Sequence, residues 1–127
     1  MCHSIFEAAQ EICGANAIVN VFTGDAFEAK KADFFASTLP PKLAGLKKYL
    51  EASGGPFTTG HVPRYCDFAV YHQFDLCRLL EPSVFDDAPA AGAFMAAVEA
   101  LPGVAEYLAG RPDCVGISTN PSLQEKL

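Results

Sequence analysis

The sequence is poor in charge and poorest in basic charge. Only 19% of its residues are charged, and nine bases stand against fifteen acids, for a formal net charge of −6. Without a basic stripe to neutralise phosphates, nucleic acid is excluded as a partner. No apolar run approaches the ~20 residues a transmembrane helix needs. The opening Met1-Cys2-His3-Ser4 lacks the charged-then-apolar layout of a secretory leader, so the expected location is intracellular, in the cytoplasm. Strand-like alternation is nowhere sustained. There is no nucleophile elbow, no phosphate-cradling glycine loop and no paired-carboxylate motif, so no catalytic residue is assigned.

What is present is apolar. Half of the 127 residues are hydrophobic, enough to offset the ordering entropy of one domain. A chain of this length buries roughly two-thirds of the surface it exposes unfolded. The five cysteines, Cys2, Cys13, Cys66, Cys77 and Cys114, form no Cys-x-x-Cys pair, so neither a disulfide framework nor zinc is signalled. Cys66 and Cys77 fall on one expected helix, ~16 Å apart, too far to bridge. All five read as inert, buried thiols. His3 and His61 have no partners at metal-ligand spacing, and no metal site is expected.

Helical signals follow one another along the chain. Ser4-Ile5-Phe6-Glu7 reads as a capping box, with Ile5, Ala9, Ile12, Cys13 and Asn16 behind it at helical spacing. Asp25-Ala26-Phe27-Glu28 reads as a second box. Its helix should break near Leu39-Pro40-Pro41, where prolines remove donors, and resume to Ser53-Gly54-Gly55-Pro56. Tyr65 to Leu80 is apolar round most of its circumference, with Asp67, Tyr71, Asp75 and Arg78 in one polar wedge. Such a helix belongs in the middle of a bundle. Asp86-Asp87-Ala88-Pro89 supplies a cap and first-turn proline to a helix with Phe94, Ala97, Val98 and Leu101 inward. After Leu101-Pro102-Gly103 a short last helix carries Val104, Tyr107 and Leu108. The fold class is all-α. His72 and Asp75, three apart on the central helix, read as structural polar groups, and Asp75 with Arg78 as a surface ion pair worth a few tenths of a kcal/mol.

From Gly54 onward the order of motifs is specific. Gly54-Gly55-Pro56-Phe57-Thr58-Thr59-Gly60, Tyr65-Cys66-Asp67-Phe68, Phe74-Asp75-Leu76, Leu80-Glu81-Pro82 and Leu101-Pro102-Gly103-Val104 resemble the carboxy-terminal helical domain of cytosolic glutathione S-transferases, nearest the sigma and mu classes. Leu39-Pro40-Pro41-Lys42-Leu43 fits the same domain. The resemblance implies a helical domain over 1–112 and an irregular tail over 113–127. It also implies a thioredoxin-like partner domain that holds most of the glutathione site and the thiol-activating residue.

Two departures stand out. Where the family carries Ser or Thr as the cap of the central helix, this chain has Arg64. Arg64 cannot accept from the helix amides, which costs ~1 kcal/mol, and places positive charge at the positive end of the helix dipole. Asp67 is retained, and Pro63 can staple against Phe68. Where relatives carry an acid on the first helix that reaches glutathione, Asn16 is the nearest residue, and an amide offers no charge attraction. By resemblance, Ile18 and Phe22, with the tail near Ile117, would wall the electrophile pocket. The expected function is a non-catalytic interaction or structural subunit with a protein partner, in a homodimer or a larger assembly. The alternative is one half of a transferase conjugating glutathione to hydrophobic electrophiles. No cofactor is expected; glutathione would enter as co-substrate only with the missing domain. The expected contact region is the first two helices, with Phe22, Phe27, Phe34 and Phe35.

Overall fold

The computed structural model describes residues 1–111; the expected tail, with Cys114 and Ile117, lies outside the described residues. Seven α-helices occur among them: α1 (Cys2–Gln10), α2 (Gly14–Asn20), α3 (Gly24–Asp33), α4 (Leu39–Ala52), α5 (Tyr65–Leu80), α6 (Pro89–Glu99) and α7 (Val104–Gly110). There is no strand among the described residues; one isolated bridge joins Phe57 to Gly60. The all-α expectation holds.

The central helix has the bounds that its pattern predicts. Its start follows Arg64 in extended backbone and its end precedes extended Glu81. It packs against α1, α2 and α6 through Cys66, Val70, Phe74, Cys77 and Leu80, all buried. Phe74 is the hub, with ring centroids 4.8 Å from Phe85 and 6.0 Å edge-on from Phe94. Around it lie Ile5, Ala9, Ile12, Leu46, Ala91, Met95 and Val98. Burial of side chains this size stabilises by about 1.5–3 kcal/mol each for the larger ones.

Four helix starts depart from the sequence expectation. α1 begins at Cys2 with Met1 as its cap, leaving Ser4 exposed inside the first turn, so no Ser4 capping box forms. α3 begins at Gly24 after extended Thr23, and Asp25 lies within its first turn, where an acid complements the dipole. α6 is capped by Ala88, and Asp86 and Asp87 remain outside it; Pro89 does occupy the first turn. The helix expected to run past Ile12 breaks instead. Residues 11–13 tighten into three-residue hydrogen-bonded turns, Ile12 to Ala9 and Cys13 to Gln10, before α2 resumes at Gly14. A Cβ on Gly14 would lie 3.3 Å from the Phe34 ring, so the glycine admits that ring against the junction. Lys42 Nζ donates to the Glu11 carbonyl and ties this junction to α4.

The break expected at Pro40-Pro41 does not occur. The chain stays helical, and a π-helical segment, Phe34–Thr38, absorbs the disturbance. The Leu39 N–H reaches back five residues to the Phe34 carbonyl. Widening the turn by one residue places both prolines in the first turn of α4, where an absent N–H costs nothing.

Candidate functional site

The turn before α5 carries the most connected polar cluster. Ser53 Oγ donates to the Leu50 carbonyl at 3.0 Å and accepts from Gly55 N–H at 3.3 Å, closing the end of α4. A Cβ on Gly55 would lie 2.4 Å from the Gly60 backbone, so only glycine permits this crossing. Phe57 and Gly60 then exchange backbone hydrogen bonds of 3.0 and 3.3 Å. The result presents buried Thr58 to the first turn of α5.

There Asp67, fully buried, accepts three hydrogen bonds. Oδ1 takes Thr58 N–H at 2.8 Å and the Thr58 hydroxyl at 2.6 Å; Oδ2 takes Arg64 N–H at 2.7 Å. Asp67 N–H is satisfied by the Arg64 carbonyl at 3.0 Å. Arg64 is therefore half of a capping box. Its backbone is held by Asp67, while its side chain makes no cap hydrogen bond. Thr58, a loop residue nine positions upstream of Asp67, fixes the carboxylate. Periodicity along α5 gives no hint of it. Pro63 is half-buried, and Phe68 remains 47% exposed.

The polar wedge of α5 faces inward, contrary to a simple surface reading. Arg78 donates to Asp75 at 2.9 Å and to Glu99 on α6 at 2.8 Å, and Arg111 reaches Asp75 at 3.1 Å. Burial pulls the Arg78 guanidinium down, but hydrogen bonds to Glu99 and Asp75 outweigh it and raise it above its ordinary value. Burial, with Asp75 and Glu99 nearby, pushes the Tyr71 hydroxyl up. The Asp75–Arg78 pair is one edge of a bridge between α5, α6 and the end of α7.

The outward side of α5 is apolar. Tyr65, Phe68, His72 and Leu79 project from it, within about 60° of arc at 100° per residue. Tyr65 is 55% exposed, and its ring lies 5.8 Å from that of Phe6 on α1. A helix expected in the middle of the bundle is thus covered on three sides and open on the fourth. Beside the stripe lies a cavity of about 400 Å³ lined by Phe68, Tyr71, His72, Val98, Tyr107 and Leu108. Tyr107 leaves 67% of its surface in solvent.

The residues expected at a substrate site, Asn16 toward glutathione and Ile18 and Phe22 as the electrophile wall, lie in different surroundings. Asn16 is exposed, and its side-chain carbonyl accepts from Asn20 at 3.1 Å. Ile18 is 4% exposed and sits in the core. Half-buried Phe22, beyond the helix end, carries Lys30 Nζ at 5.4 Å from its ring centroid. The expected contact aromatics also turn inward: Phe34 is buried, and Phe22, Phe27 and Phe35 pack partly buried against the core. The exposed aromatic surface lies on α5 and α7 instead.

The cysteines differ among themselves. Cys77 is buried and its thiol is pushed up to about 12 by desolvation, as an inert thiol should be. Cys13 is exposed and Cys2 half-buried, so uniform burial is incorrect. Among the described residues, no group of three or more His, Cys, Asp or Glu could hold a metal ion, and no helix is long and apolar enough to cross a membrane.

Known proteins supply the comparison. Residues 15–111 match the family described as "Glutathione S-transferase, C-terminal domain". A glutathione S-transferase of Dirofilaria immitis is 29% identical over 89 residues, 68% of this chain and 43% of its own. Glutathione S-transferase Mu 2 of Mus musculus is 35% identical over 83 residues, 65% of this chain and 36% of its own. The structure of a Pi-class glutathione S-transferase of Onchocerca volvulus superposes with a TM-score of 0.75 at 23% identity. That match covers 87% of this chain and 52% of that one, a likeness of fold. The chain spans less than half the length of these curated relatives. It belongs to the glutathione S-transferase family, whose carboxy-terminal helical domain is the part it matches.

Proposed function

We propose that the chain is the helical member of a glutathione-transferase-type assembly and works through protein contacts rather than as a catalyst on its own. The observation that carries this reading is the open side of α5. Tyr65, Phe68 and Leu79 all leave more than a third of their surface in solvent, and Phe6 and the α7 aromatic Tyr107 extend the patch. A contiguous apolar surface of this kind marks an interface. The occupant that fits is a thioredoxin-like domain, the part of the family's architecture that the resemblance pairs with these helices. Asn16 supports the same reading, because it brings no charge to a glutathione amine.

Glutathione conjugation requires a thiolate and a donor that stabilises it; in this reading both come from the partner. The cytoplasm is the expected compartment for such an assembly. The test is turnover. The purified chain, given glutathione and a generic aromatic electrophile, should run at the uncatalysed rate. A faster rate that is lost on substituting a residue of this chain would overturn the reading.

A further inference from the structure

Cys2 opens α1 and Cys66 is the second residue of α5, sixty-four residues apart in sequence, and their Sγ atoms lie 2.7 Å apart. Ordinary disulfides have an S–S distance of about 2.05 Å, so closing the gap needs a shift of only about 0.7 Å. We propose that Cys2 and Cys66 are a redox-active thiol pair that closes to a reversible disulfide when the chain meets a hydroperoxide. Nothing in the interaction reading above depends on it.

The two sulfurs sit in different surroundings, which assigns their roles. Cys2 is half-buried at the rim. Desolvation acts to raise its thiol, but hydrogen bonding from Cys66 and Tyr65 prevails and lowers it. Cys66 has no exposed surface; desolvation first, then the Cys2 hydrogen bond, push its thiol up to about 11. Thr58 Oγ1, 3.5 Å from Cys66 Sγ, and the packing of α5 hold it in place. Cys2 is thus the attacking sulfur and Cys66 the resolving one. A thiolate-prone cysteine partly open to solvent beside a second thiol is the arrangement that oxidises reversibly.

The chemistry balances in two steps. The Cys2 thiolate attacks the terminal peroxide oxygen: an S–O bond forms, the O–O bond breaks, and the departing alkoxide takes up a proton and leaves as alcohol. Cys66 sulfur then attacks the Cys2 sulfenic sulfur. The S–S bond forms, the S–O bond breaks, and the hydroxyl leaves as water with the Cys66 proton. Two electrons pass from the sulfur pair to the peroxide bond. A thiol reductant reverses the state by exchange at Cys2, the more accessible of the two sulfurs. The bridge would pin the first turn of α1 to the first turn of α5, at the edge where Phe6 meets Tyr65.

The experiment treats the reduced full chain with one equivalent of hydrogen peroxide, alkylates remaining thiols, and maps non-reduced peptides by mass. A linked pair of peptides containing Cys2 and Cys66, lighter by two hydrogens and abolished by dithiothreitol, is expected. Cys13→Ser should give the same link with no covalent dimer. In Cys2→Ser, a change at a half-buried position, the link should vanish and Cys66 should resist both peroxide and alkylation in the folded chain. The proposal is overturned if, with the peroxide consumed, Cys2 and Cys66 are both still alkylatable. It is equally overturned if Cys2 ends as sulfinic acid or is joined to any other cysteine.

Discussion

Removing the Asp67 carboxylate should be the most damaging single polar change in this domain. Asp67→Ala leaves Thr58 N–H without an acceptor and the Thr58 hydroxyl with only the weakly accepting Cys66 sulfur at 3.5 Å, and Thr58 is 1% exposed, so bulk water does not replace the carboxylate. Each orphaned buried donor costs about 1–3 kcal/mol. Arg64 N–H lies nearer the surface, and its loss adds about 0.5–1 kcal/mol. Together these give a loss of about 2.5–7 kcal/mol, a large share of the 5–15 kcal/mol typical of a domain. At about 4 °C per kcal/mol for a chain of this size, the melting temperature should fall by ~10–28 °C. Urea denaturation followed by circular dichroism measures it directly. Thr58→Val is the companion variant. It removes one hydroxyl and leaves Thr58 N–H paired, so it should cost about 1 kcal/mol. If Asp67→Ala cost under ~1 kcal/mol, or no more than Thr58→Val, the cluster would not be what joins the loop to α5.

Other outcomes follow from the same structure. Arg64→Thr should stabilise by ~1 kcal/mol, because the Arg64 backbone already occupies the cap position and lacks only a side-chain acceptor; equal or lower stability in the same urea titration would contradict this. Gly55→Ala should destabilise by at least ~2 kcal/mol, since its Cβ would meet backbone 2.4 Å away and a rigid overlap of this kind typically costs 1–3 kcal/mol or more. Burial raises Cys77 to about 12 from its usual 9.0. Stability from keeping that thiol neutral is complete below pH 9 and is lost as pH rises toward 12, because the unfolded thiol ionises first. The destabilisation caused by Cys77→Ala should therefore be largest near pH 8 and shrink by pH 11, as urea midpoints at the two values would show. Oxidative closure of Cys2 to Cys66, spanning sixty-four residues, should stabilise by ~2–4 kcal/mol, read as a higher melting temperature that reverts on reduction.

The limits of reading this fold from sequence are physical. The bounds of α5 were legible because its apolar residues keep helical spacing between two prolines, Pro63 and Pro82. Capping residues misled at Ser4, Asp25 and Asp87 because a good cap is a weak preference that tertiary packing overrides. The π segment was hidden for a similar reason. Pro40 and Pro41 announce a break, but inserting one residue in the turn satisfies them without ending the helix beside buried Phe34. The direction of α5 was the largest gap. Its charged wedge is bridged and part-covered because Thr58, Glu99 and Arg111 come from three other segments to meet it, and no local pattern encodes that. Once those partners take the polar side, the apolar stripe is left facing out.

That stripe is the surface through which the domain is proposed to meet its partner. Sedimentation velocity at micromolar concentration, on the chain alone and with an apolar-sensitive dye in the same sample, tests it directly. Self-association or dye binding is expected, each reduced in a Tyr65→Ser, Phe68→Ser double variant that keeps its helical content. A strictly monomeric wild-type chain that binds no dye would contradict it.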